Sequence, residues 1–129
     1  MNTKHIALLS LFLICGVVIV AISLVRWNNA KRGRPPVIKP VQIAGVEYRA
    51  PNTYSTEGVV EAWDPKANKL LWRTKIYFTL HVPLLIEEDA QWNFIKSMTL
   101  GPATNELTIV NEKGRQYILN TASQKVRRK

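Results

Sequence analysis

The side chains able to do acid–base or metal chemistry are few and scattered. His81 is the only histidine outside the N-terminal tail, and no second histidine or cysteine stands near it, so it makes a poor metal ligand. Glu87, Glu88 and Asp89 form the one acidic cluster. Three adjacent carboxylates lack the alternate spacing and the glycine of a calcium loop, and they read as a solvated loop. The single cysteine, Cys15, lies inside an apolar run, which excludes an intramolecular disulfide and a cysteine-based zinc site. The sequence has no Gly-x-Ser-x-Gly, no phosphate-binding glycine-rich loop and no His-Glu-x-x-His. The expectation is a protein that is not an enzyme, with no catalytic, cofactor-binding or metal residue to nominate.

Binding chemistry is better represented. The formal net charge is +9, and the excess sits at two places. Residues 26–39 hold five cations and no acid: Arg26, Lys31, Arg32, Arg34 and Lys39. The last five residues add Lys125, Arg127, Arg128 and Lys129. Between them, residues 40–124 carry eight basic side chains against all nine acids, so the body is close to neutral. That argues against a domain whose whole face is a nucleic-acid footprint and suits ends that lie near lipid phosphates. A plain solubilising tail is the simpler reading of the same charges. Trp63, Trp72, Trp92 and four tyrosines beside Arg73, Lys75 and Arg115 offer stacking platforms for bases, but large aromatics are also what fills a small core. Nucleic acid is therefore not the expected partner.

These residues must be positioned by a chain of 129 residues, of which an anchor and a linker take roughly the first 40. Residues 6–25 are 20 residues without a charge, and at about 1.5 Å per residue a helix of that length spans about 30 Å of hydrocarbon. Lys4 and His5 bound the run on one side, Arg26 and Trp27 on the other, the indole suiting the headgroup zone. The expectation is a single-pass membrane anchor in contact with lipid. A cleaved signal peptide and a lipoprotein processing site are the rival readings. The run is longer than the usual signal core, Ala21-Ile22-Ser23 sits inside it rather than after it, and bulky Ile14 precedes Cys15 where a small residue is needed. The cations after residue 25 favour a cytoplasmic domain by the positive-inside rule.

Residues 1–27 thus read as tail and anchor, 28–44 as a basic linker containing Pro35 and Pro36, 45–127 as a small domain, and 128–129 as the end of a basic tail. Period-two alternation makes the domain all-β and antiparallel, a sheet or a small barrel or sandwich. The clearest stretch is 69–81, with Leu70, Trp72, Thr74, Ile76, Phe78 and Leu80 on one face. Further strands are expected at 46–49, 58–63, 91–100, 106–110, 115–120 and, more weakly, 125–127, with a helical turn at 87–91.

An internal echo appears at an offset of 56 residues, where Gly58-Val-Val-Glu-Ala-Trp-Asp64 aligns with Gly114-Arg-Gln-Tyr-Ile-Leu-Asn120. In both copies four residues then precede a Lys and an apolar residue, Lys69-Leu70 and Lys125-Val126. Glycine permits the positive φ that feeds a tight turn into a strand. Asp64 or Asn120 can accept from backbone amides two residues on, and Asn68 tolerates the left-handed conformation that ends the loop. Trp72 is expected to return over the turn.

The stretch Ala62-Trp-Asp64-Pro-Lys-Ala-Asn68-Lys-Leu-Leu-Trp72 resembles the tryptophan-docking motif of PQQ/quinoprotein-like β-propeller repeats. Ala62, Asp64 and Trp72 match that motif, Asn68 stands where the family has glycine, and residues 114–126 look like a second copy without the tryptophan. A full propeller needs at least four blades, more than this chain can supply. No position matches the family's quinone or metal ligands. The resemblance implies a Trp-locked hairpin and an exported setting, which opposes the charge argument on sidedness. Together these readings give a membrane-tethered, non-catalytic β-domain that binds a protein partner as an accessory subunit. The alternatives are a basic module for lipid headgroups or nucleic acid, and a redox or quinoprotein accessory factor.

Overall fold

A computed structural model of the chain describes residues 33–84 and 88–129. Gly33–His81 and Gln91–Lys129 form one unit that carries all the strands, and Val82–Ala90 belongs to another. The apolar run 6–25 and the cations Arg26, Lys31 and Arg32 lie outside the described residues. Among the described residues no helix is long and apolar enough to cross a membrane.

The strand-bearing unit is all-β. Strands β1 (Val41–Ile43), β2 (Val46–Arg49), β3 (Val59–Asp64) and β4 (Lys69–Lys75) make one antiparallel sheet in chain order. Strands β5 (Ile95–Leu100), β6 (Glu106–Asn111), β7 (Gln116–Asn120) and β8 (Val126–Arg128) make a second, again in chain order. A single-turn helix, α1 (Glu88–Gln91), precedes β5. Alternation explains the strands: β6 runs Glu-Leu-Thr-Ile-Val-Asn with Leu107, Ile109 and Asn111 buried and the residues between them half-buried. Tyr48, Val60 and Ala62 of the first sheet join Met98, Leu107, Ile109 and Leu119 of the second in one apolar cluster. Each sheet therefore hides one face against that shared core.

The chain enters the sheet earlier than the composition of residues 28–44 suggests. Val41–Ile43 is the edge strand β1, paired with β2 through Val41↔Tyr48 and Ile43↔Val46, and Ile38 packs against the core. Ala44 and Gly45 both adopt positive φ, 49° and 78°, the conformation of a two-residue hairpin turn that matches strand twist. Polarity and prolines at 28–40 hide this strand, since three residues are too few to display a period.

The strand expected over 69–81 ends at Lys75. Ile76 and Tyr77 are both buried, so the alternation breaks there. Tyr77 stacks on Tyr117, with ring centroids 5.2 Å apart, and its hydroxyl donates to the Asn93 carbonyl at 2.6 Å. Phe78 and Leu80, expected on the Trp72 face, instead stand 87% and 84% exposed. The strand expected from residue 91 begins at Ile95, because 91 closes α1 and 92–94 run as irregular backbone.

Candidate interaction surfaces

The echo residues occupy equivalent places in the two sheets. Asp64 Oδ1 accepts from the amides of Lys66 and Ala67 at 2.9 and 3.2 Å, and Asn120 Oδ1 accepts from those of Ala122 and Ser123 at 3.0 and 2.9 Å. Asn68 and Gln124, also 56 apart, have φ of 49° and 58°, and Gly58 and Gly114 have 65° and 76°. The β3–β4 and β7–β8 hairpins are thus the same turn built twice. They differ by one residue. Ala62 pairs with Trp72 but Trp63 pairs with Leu70, so Leu71 is a bulge, whereas Ile118↔Arg127 and Leu119↔Val126 run without interruption. Trp72 leans on Tyr48 at a centroid distance of 5.8 Å, in the row where Ala62 stands between them.

The outer face of the first sheet carries a closed polar network. Glu61, buried, accepts from Arg73 at 2.8 Å and from the Trp63 indole at 2.9 Å. Arg49 binds Glu47 at 2.5 Å and lies 4.6 Å from the centre of the Trp63 ring. Trp63, a possible stacking platform, is thereby already engaged by Arg49. Of the cations proposed for phosphates, Arg34 lines a groove described below, while Lys125 and Arg127 line one small cleft with Asn120 and Ser123, where Arg127 faces the Glu106 carboxylate at 3.3 Å. Arg128 and Lys129 are exposed.

Two surfaces escape sequence reasoning. The first is a mostly apolar groove of about 480 Å³ between residues 34–38 and 50–54. Asn52 builds it. Its side chain is 4% exposed, its amide donates to the carbonyls of Pro36 and Ile95 at 2.8 and 2.7 Å, and its Oδ1 accepts from the Ile95 amide at 3.1 Å. One residue at φ 47° thus ties the segment before β1 to the start of β5. Tyr54, 55% exposed, forms a wall of the groove and sits edge-on to Trp92 at 5.1 Å, which stacks on buried Phe94. Val37 stands fully exposed on the facing side.

The second is the extended segment 78–81, whose two faces differ. Its inner face is fastened: His81 Nε2 meets the carboxylate of buried Glu57 at 2.9 Å, the same carboxylate accepts the Asn93 amide at 2.5 Å, and the imidazole lies 4.4 Å from the Trp92 ring. Thr79 is half-buried between the outward residues. The outer face presents Phe78 and Leu80. Glu57 and His81 are the nearest approach to acid–base machinery, but the other ring nitrogen, Nδ1, is buried without a hydrogen-bond partner among the described residues. What the pair does in this geometry is hold the segment down. Among the described residues no cluster of three metal-ligating side chains occurs. A 24-residue separation between Glu57 and His81 leaves no local signal, whereas Asn52 after Pro51 carried a hint as turn punctuation. Neither a family model nor a curated protein matches the chain.

Proposed function

We propose that the chain is a membrane-tethered, non-catalytic accessory protein whose β-domain holds a protein partner in the groove between residues 34–38 and 50–54. The observation that carries this reading is the make-up of that groove: its apolar walls, with exposed Val37 on one side and Tyr54 on the other, are fixed by the buried amide of Asn52. An aromatic anchor beside a preformed apolar groove is the usual core of a binding site. One wall of the groove is the spacer itself. Eight residues separate Val25 from Arg34, which limits their separation to roughly 30 Å even when fully extended. A partner in the groove would therefore sit close to the bilayer that holds residues 6–25.

Two four-stranded meanders carrying the same hairpin support a derivation from two propeller-like blades, in keeping with the resemblance at residues 58–72. Membrane attachment is tested by alkaline carbonate washing followed by protease treatment of sealed, oriented vesicles. The chain is expected to stay with the washed membrane, and cleavage within residues 26–33 to release the domain from one side only. Recovery of intact chain in the wash would refute the tether.

A further inference from the structure

From Pro65 to Ile86 the chain contains Lys66, Lys69, Arg73 and Lys75 and no acidic residue, and its second half is dominated by apolar side chains. The structure sorts these residues by face. On β4, Arg73 and Lys75 are exposed on the outer face and Trp72 packs against the core, while Lys69 and Leu71, also exposed, lie at and beyond the bulge where the register shifts. Past β4, Phe78 and Leu80 point outward, fastened from behind by the Glu57–His81 contact. Lys75 bonds the Glu57 carbonyl and has its ammonium 5.8 Å from the centre of the Phe78 ring, so a cation and an exposed aromatic are presented together.

We infer that this strip is a second lipid contact, with Phe78 and Leu80 entering the headgroup–acyl boundary and Lys75 against anionic headgroups. The inference rests on the tether proposed above, which keeps the domain within reach of a bilayer. Three observations favour lipid over a protein partner. Residues 65–86 carry four cations and no acid, and with Arg73 engaged by Glu61 it is the Lys75 ammonium beside Phe78 that matches an anionic surface. Exposed aromatic and aliphatic side chains beside lysines are the composition of segments that lie in the interface. The outward side chains, almost fully exposed, sit on an irregular stretch pinned from behind, which suits the flat face of a bilayer.

The test uses the full chain with Cys15→Ser and an environment-sensitive fluorophore on Leu80→Cys, with Phe78→Cys as a second position and Lys113→Cys as the control. Each is reconstituted into phosphatidylcholine–phosphatidylglycerol vesicles containing a lipid-borne quencher. Both leaflets carry the anionic lipid, so the orientation of the chain does not affect the readout. The expected result is quenching at 78 and 80, little at 113, and weaker quenching when phosphatidylglycerol is omitted. Chain that floats with the vesicles but is unquenched at 78 and 80, or equally quenched at 113, overturns the lipid contact and leaves the tether standing. Chain that fails to float overturns both.

Discussion

The side chain of Asn52 imitates a backbone unit, giving and taking a hydrogen bond with Ile95 while its second amide proton reaches Pro36. Asn52→Ala leaves three backbone groups unpaired in a buried place and puts alanine at positive φ, so we expect a loss of about 3 kcal/mol of stability, read as a lower denaturation midpoint with unchanged slope. Asn52→Asp should be at least as damaging, because a carboxylate would face the Pro36 and Ile95 carbonyls. Gly58 is a second position with no latitude. A β-carbon there would come within 2.9 Å of the Tyr77 carbonyl oxygen and 3.0 Å of its ring, at φ 65°. Gly58→Ala should cost about 1–3 kcal/mol and loosen the Tyr77–Tyr117 stack, seen as a change in near-ultraviolet circular dichroism. In the opposite direction, Ala44 bears a left-handed φ that asparagine tolerates better, so Ala44→Asn should raise stability by about 0.5–1 kcal/mol in the same denaturation assay.

At the scale of elements, the hairpins were legible and the long-range fastenings were not. Gly58, Asp64 and Asn68 act through turn chemistry that spans a few residues, so their types and spacing foretell the turn, and the same holds for Gly114 and Asn120. Alternation foretold β2, β3, β6 and β7 to within a residue or so. It misjudged β4, where packing of Ile76 and Tyr77 overrides the period, and gave no sign of the bulge at Leu71. It passed over β1, which is short and lies in polar, proline-containing sequence. Nothing local marks Asn52 as the partner of a residue 43 positions away, so the groove that it shapes was invisible. Ala62 illustrates how packing gives a motif residue its meaning: it is small because Tyr48 and Trp72 flank it in the same row. Ala62→Leu should overpack that row and cost about 1–3 kcal/mol, measured by thermal unfolding.

For the whole molecule, the arrangement joins an apolar N-terminal run, a short cationic spacer and a domain made of two matching sheets. In the proposed function the spacer limits the reach of the domain while residues 34–38 supply one wall of its groove, so tethering and binding would share the same residues. The most direct measurement of this coupling is photo-cross-linking from a probe at Val37 in intact membranes, followed by a carbonate wash, with a probe at Lys113 as the control. The chain is expected to remain in the membrane and the Val37 probe to give a discrete protein adduct, absent from Lys113 and lost on Tyr54→Ala. Equal labelling from both probes, or an adduct indifferent to Tyr54, would contradict it.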